Sequence, residues 1–196
     1  MGGIDMASTD KNGDRRIERT RQLLREGFVE MIREKGFSAM SVQDITERAN
    51  VSRGTFYIHY TDKYMLLEHV IRDNFGKLLM NSVSPNSPWN CENARKIIIA
   101  VLQCFEGKYS HRQPSSRVPV SILEETIHEE LTRYISGLMR NDPGYPLDDP
   151  LQLKAGARAV SWAIFGPAIQ WAREPRTMSE EQMAEVILSV VEVGRR

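Results

Sequence analysis

Apolar residues along this chain recur at three- and four-residue spacing, and no run alternates over a length that would make a convincing strand. From Arg15 to Lys35, Leu24, Phe28, Met31 and Ile32 recur among many charges, and Gly36 supplies a stop, which predicts an amphipathic helix. Ser41 is a natural N-cap with Asp44 in the first turn behind it, and the short helix they open, Val42 to Ala49, carries Val42, Ile45 and Ala49 on one face. Asn50 follows, one of the few residues besides glycine that tolerates the left-handed conformation of a sharp turn. Ser52 caps a second short helix through about His59, with Val51 and Phe56 placed as a hydrophobic staple. Thr61 or Asp62 then opens a longer helix to about Asn81, on which Leu66, Leu67, Val70, Ile71, Phe75, Leu78 and Leu79 repeat.

Pro85 and Pro88 interrupt the stretch from Ser82 to Asn90, which reads as a linker loop. Four further helices follow, about Glu92 to Lys108, Val120 to Arg140, Leu151 to Arg173 and Ser179 to Gly194. They are separated by a polar break from Ser110 to Pro119, by Asn141 to Pro150 with Pro143, Gly144, Pro146 and Pro150, and by Glu174-Pro175-Arg176. The expected fold is all-α, with about nine helices and no internal repeat. A disordered tail covers residues 1–14, a three-helix helix-turn-helix domain 15–62, a connecting helix 63–81 and a larger helical domain 82–196.

Composition narrows the function classes. The 196 residues are 41% apolar, enough for a core, and 26 Lys and Arg balance 26 Asp and Glu, so no global positive field marks the chain. Any contact with nucleic acid has to come from a local patch, and residues 15–63 hold ten Lys or Arg against seven Asp or Glu. Cys91 and Cys104 are too few for a disulfide framework or a tetrahedral zinc site and read as reduced thiols. The apolar stretch from Ile97 to Leu102 is far short of the roughly 20 residues of a membrane span, and Met1 to Met6 lacks a signal-peptide or myristoylation pattern. A cytoplasmic location without membrane association is expected. His59, His69, His111 and His128 lack ligand spacing, so no metal is expected; Glu124-Glu125 and Glu129-Glu130 read as a solvated helix face. Without a nucleophile and base in register, a phosphate loop or a metal set, neither an enzyme nor a cofactor is expected.

A helix-turn-helix reads DNA by laying its second helix in the major groove, which requires apolar residues behind that helix and polar or small ones in front. Residues 41–63 meet the requirement: Val42, Ile45, Ala49, Val51 and Phe56 form an inner seam, leaving Arg53, Gly54, Thr55, Tyr57 and His59 on or beside the exposed side. The planar fork of Arg53 matches two guanine acceptors at once, and Gly54 lets backbone approach the duplex. Thr55, Tyr57, His59 and Lys63 suit phosphate oxygens. The string SVQDITERANVSRGTFYIHYTDKYMLL, beginning at Ser41, resembles the signature of the TetR family of regulators, and the match extends over about residues 19–70, including Gly36-Phe37 and Leu66-Leu67. Capping Ser, small residue, aromatic pair and Lys recur in register, although Thr46 stands where Ala is usual and Asn50 where Gly is usual. The resemblance implies that Tyr57, Lys63, His59 and Ser41 contact backbone phosphates and that Arg53, Gly54 and Thr55 meet bases or backbone. Val42 and Ser52 complete the expected DNA-facing set.

The resemblance further implies a homodimer on palindromic double-stranded DNA, with the last two helices pairing with their symmetry mates. Ala155, Ala159, Ala163 and Gly166 would let helices approach closely; Trp162, Ile169, Met183, Val186, Ile187 and Val190 would supply the apolar contact. An unidentified small-molecule effector is implied in a pocket among the middle helices. Its expected lining is Phe75 and Trp89, then Ile98, Val101, Leu102, Phe105 and Tyr109. Ile122, His128, Leu131, Tyr134 and Ile135 follow, with Trp162 and Phe165 from the next helix. Repression relieved by that effector is the favoured mode. The alternative is a co-regulator whose C-terminal half binds a protein partner instead.

Overall fold

The computed structural model describes residues 7–109, 118–144, 149–174 and 178–193. The expected breaks at 110–117, with His111, and at Pro146, Pro175 and Arg176 lie outside these, as do residues 1–6 of the expected tail, Gly194 and the side chain of Tyr109. Eight helices occur among the described residues, against about nine expected: α1 Ala7–Lys35, α2 Val42–Arg48, α3 Arg53–His59, α4 Lys63–Ser82, α5 Cys91–Tyr109, α6 Val120–Arg140, α7 Pro150–Arg173 and α8 Glu180–Val193. No strand occurs among them. The first helix starts at Ala7 and not near Arg15. Its early turns carry no apolar stripe from which periodicity could place a boundary, and once a helix is nucleated it propagates at little cost.

The chain divides into two compact units, one holding α1 to α3 with α4 up to Val70, the other holding α4 from Ile71 and α5 to α8. In the first unit local chemistry sets each corner. Gly36 takes φ +77° and closes α1 through its N–H on the Ile32 carbonyl at 3.0 Å, and Asn50 takes φ 53° at the α2–α3 turn. Ser41 and Asp44 form a reciprocal capping box: the Asp44 N–H donates to Ser41 Oγ at 3.2 Å and the Ser41 N–H donates to Asp44 Oδ2 at 2.8 Å. Lys35 Nζ reaches Asp44 Oδ1 at 2.5 Å, joining the end of α1 to the start of α2. Ser52 Oγ caps α3 by accepting from the Thr55 N–H at 3.0 Å, and Asp62 Oδ1 caps α4 by accepting from the Tyr64 and Met65 N–H groups at 2.8 Å each.

The core of this unit joins Leu24, Phe28 and Met31 of α1 to Phe37, Met40, Ile45, Ala49, Phe56, Tyr60, Leu66 and Leu67, all buried. Of the expected seam, Val42 and Val51 are only half-buried, while Thr46 is buried and turns its hydroxyl onto the Gln43 carbonyl at 3.0 Å. At Gly27, α1 lies close against α2: a Cβ there would lie 3.1 Å from the Ala49 amide nitrogen and 3.2 Å from the Ile45 carbonyl oxygen. A side chain at this position would have to push backbone, which yields less readily than a rotamer.

In the second unit α7 packs on α6, α5 and α8, and α8 packs on α5. Ile97, Ile98, Leu102 and Phe105 of α5, Ile127, Leu131 and Ile135 of α6, Ile164 and Phe165 of α7, and Ile187 of α8 are all buried in the unit's interior. The stretch read as a linker is fastened to α6: the Trp89 N–H donates to the Leu138 carbonyl at 3.0 Å, Asn141 Nδ2 to the Pro85 carbonyl at 2.9 Å, and the Tyr134 hydroxyl to the Val83 carbonyl. One expectation for α6 is corrected. Glu129 is exposed, but Glu130 is 2% exposed and held by Arg133. Gly76 on α4 makes the space, since a Cβ there would stand 3.0 Å from Glu130 Oε1. A run of acidic residues on a helix shows charge but not which member faces a neighbour.

Two outcomes test this construction. Gly27→Val should lower stability by about 1–3 kcal/mol, measured by urea denaturation followed by circular dichroism. Hydrogen bonds from Lys35, then from the Ser41 side chain and backbone, hold the Asp44 carboxyl below its ordinary value of 3.8. Such a group stabilises the fold above its unfolded pKa and ceases to do so as pH falls through its folded one. The stability difference between wild type and Asp44→Ala should therefore be constant down to about pH 5 and shrink below about pH 4.

Candidate nucleic-acid interface

The orientation of α3 follows from two aromatic residues four positions apart. Phe56 is fully buried and Tyr60 is 3% exposed, and their rings meet at 5.8 Å. With these two turned inward, helical geometry sends Arg53, Gly54, Tyr57 and Ile58 outward; Thr55 and His59 are half-buried at the margin. Tyr57 lies edge-on against Phe56 at 5.4 Å, so its ring is braced while its hydroxyl end faces solvent. Ser52 is exposed at the helix start, and Ser41 and Val42 stand at the start of α2, exposed and half-buried respectively.

Arg53 and Gly54 have no evident structural duty. Arg53 has no ion pair or hydrogen bond among the described residues, whereas Arg48 on α2 is fully engaged, pairing with Glu34 at 2.6 Å and Glu30 at 2.9 Å. Those two carboxylates raise the Arg48 pKa above its ordinary value, so the charge that ties α2 to α1 is permanent. A Cβ at Gly54 would meet only Ser52 Oγ, at 3.7 Å, an ordinary contact. Glycine inside a helix costs roughly 1 kcal/mol relative to alanine, and nothing in the folded chain requires it here. Both residues therefore present surface in the form that a partner would use, a planar cation beside bare backbone.

Lys63, expected to suit phosphate oxygens, is also bound within the fold. Its ammonium group donates to the Phe37 carbonyl at 3.0 Å and the Met40 carbonyl at 2.7 Å, and lies 4.7 Å from the Phe37 ring centroid. Two of its three donors thus hold the connection between α1 and α2, leaving one for another acceptor. Burial, and then the charge of Arg21, lower the His59 pKa, so at neutral pH the imidazole is an uncharged donor or acceptor and not a cation. Periodicity gave no sign of Ile58, which at 79% exposure is an isolated apolar side chain on the outward face of α3. Its signal was available: it directly follows the aromatic pair on the side opposite Phe56.

Most of the residues expected to line an effector pocket are buried. Phe75, Trp89, Ile98, Val101, Leu102, Phe105, Leu131, Ile135 and Phe165 are buried, and Ile122 and Tyr134 are half-buried. His128 is also buried, while Trp162 is 52% exposed. Of the residues expected at a dimer contact, Ala155, Ala159, Trp162, Gly166, Val186 and Val190 are exposed, and Ala163 and Met183 half-buried. Ile169 and Ile187 instead turn into the unit's own core. No group of three or more potential metal ligands occurs among the described residues, and no described helix is long and apolar enough to cross a membrane.

Comparison with known proteins agrees with this geometry. The uncharacterized HTH-type transcriptional regulator YxbF of Bacillus subtilis (strain 168) is 31% identical over 101 residues, 50% of this chain and 27% of the relative. The HTH-type transcriptional repressor DhaR of Mycobacterium sp. (strain GP1) is 30% identical over 122 residues, 58% of each chain. The chain thus spans about a quarter and rather over half of these two relatives. In fold, it is similar to a TetR transcriptional regulator from Streptococcus agalactiae 2603V, at 21% identity and TM-score 0.53 over 93% of this chain and 98% of that one. A TetR-family regulator from Syntrophomonas wolfei str. Goettingen gives 19% identity and TM-score 0.54 over 91% and 95%. Residues 24–70 match the model of bacterial regulatory proteins of the tetR family, the same residues that form α2, α3 and their supports.

Proposed function

We propose that the protein is a DNA-binding transcriptional regulator that acts as a symmetric homodimer on a palindromic site in double-stranded DNA. The observation that carries this reading is the outward pair Arg53 and Gly54 on α3, an unpaired guanidinium beside a glycine the fold does not need. Arg53 specifies the base sequence. Ser41, Ser52, Thr55, Tyr57 and His59 position the helix on phosphates, with Val42 at the margin and the one spare donor of Lys63 completing the grip. Repression is the proposed mode, in keeping with the similarity to the Mycobacterium transcriptional repressor.

The homodimer forms on the outer face of α7 and α8, where Trp162, Val186 and Val190 are 52%, 47% and 58% exposed. Ala155, Ala159 and Gly166 keep that face low, and a Cβ at Gly166 would meet nothing within 4 Å. A second copy would cover these side chains and set two α3 helices in the symmetric relation that a palindrome requires. A small-molecule effector sensed by the second unit would lower DNA affinity by as much as it prefers the state with the two reading helices wrongly spaced.

Binding selection from random duplexes, followed by titration of the selected site, tests the reading. Arg53→Ala should cost about 1–3 kcal/mol and relax base preference at one position per half-site, with thermal stability unchanged. Lys63→Ala should weaken all sequences alike and also lower the melting temperature, because the Phe37 and Met40 carbonyls lose their donor. Identical sequence profiles for the two variants would remove Arg53 from its role. Val190→Glu should turn a dimer into a monomer in sedimentation at micromolar concentration, and a monomeric wild type would remove the proposed interface.

A further inference from the structure

A groove of about 560 Å³ runs between α6 and the first turns of α7, a size typical of small-molecule sites. Four cations line it, and three of them, Arg140, Lys154 and Arg158, are exposed and have no carboxylate partner among the described residues. The other charged residues of the wall are engaged elsewhere: Arg133 with Glu130 at 2.5 Å, and Glu129 with Arg72 at 3.1 Å. The groove therefore presents uncompensated positive charge above apolar surface that includes Leu153.

His128, also in the wall, is 7% exposed, and its Nε2 has no hydrogen-bond partner. A buried polar nitrogen in that state is costly unless something supplies a partner. The ring packs against Trp162 at 4.0 Å and Phe165 at 5.2 Å, centroid to centroid. Burial, then the nearby Arg158 charge, lowers its pKa against the opposing pull of Glu129, and the neutral imidazole can donate from Nε2 in one tautomer. Gly137, in the same wall, keeps the space clear: a Cβ there would meet nothing within 4 Å.

We propose that this groove binds a small organic anion carrying a carboxylate or phosphate, with Lys154 and Arg158 on the charged group and His128 Nε2, enclosed in the wall of the free protein, coming into a hydrogen bond with the ligand as it binds. His128 and Arg140 stand roughly 18 Å apart along α6, so one compact anion cannot reach both, and Arg140 acts on it only through its field. The site differs from the interior positions first expected to hold an effector, of which it shares only His128. It rests on the sensor reading for its consequence, since an anion held here is the signal that would weaken operator binding. Ligand binding itself is measured without DNA, so the two readings fail separately.

The test is calorimetric titration of the full chain with benzoate, phenyl phosphate and the neutral benzyl alcohol, together with ¹⁵N spectra of the histidine side chains. Both anions should bind at one site per chain, the better of them at least about tenfold tighter than the alcohol, and the Nε2 resonance of His128 should shift on saturation. The tighter of the two anions identifies carboxylate or phosphate as the natural group. Lys154→Gln with Arg158→Gln should weaken binding by about tenfold or more, as should Gly137→Leu, which fills the groove and removes no charge. Lys96→Gln, on exposed α5 surface, should change nothing. Equal affinity for the alcohol, binding untouched by both groove variants, an unmoved His128 resonance, or no saturation by roughly 10 mM would each overturn the proposal.

Discussion

Phe56 is fully buried, with Tyr60 one turn behind it, and this pair decides what the third helix shows to the outside. A seven-residue helix has too few turns to hold its own orientation, since isolated helices of that length do not persist in water. Its direction has to be imposed by anchors. Two aromatic anchors at a spacing of four fix rotation as well as depth, and the opposite face then follows from helical geometry alone. Arg53, Gly54 and Tyr57 are outward because Phe56 and Tyr60 are inward. Everything proposed for DNA recognition depends on that rotation.

Charge in this unit is divided between construction and display. Lys35, Arg48 and Lys63 are each committed to a fold contact: the Asp44 carboxylate, the Glu30 and Glu34 carboxylates, and two main-chain carbonyls. Exposed ion pairs of this kind add little stability one by one, but they hold α1 against the reading module at several points. What remains for a partner is a small number of side chains in fixed places. The balanced total charge of the chain is therefore no obstacle to binding a polyanion, because placement of the unpaired cations matters more than their count.

Much of the reading module was legible in the sequence because its determinants are local. The Ser41 and Asp44 box, the Ser52 cap, the left-handed Asn50 and the Gly36 stop each involve residues within a few positions of one another. What was not legible depends on residues far apart in the chain. Gly27 looks like any helical glycine until Ala49 lies against it, Lys63 looks like surface until it meets Phe37 and Met40, and Glu130 looks like one more acidic residue until Gly76 and Arg133 enclose it. The apolar stripe of the last two helices showed the same limit. Spacing revealed that α7 and α8 are apolar on several sides, but only the packed unit separates Ile169 and Ile187, spent on the interior, from Trp162 and Val190, left outside.

The acceptors that hold Lys63 are carbonyl oxygens, which every amino acid possesses. Side chains at positions 37 and 40 could drift without taking those oxygens away, whereas inserting or deleting a single residue between Gly36 and Ser41 would displace them both. The length of that short connection is thus under tighter control than its composition, and its natural variants should differ in spelling but not in number of letters.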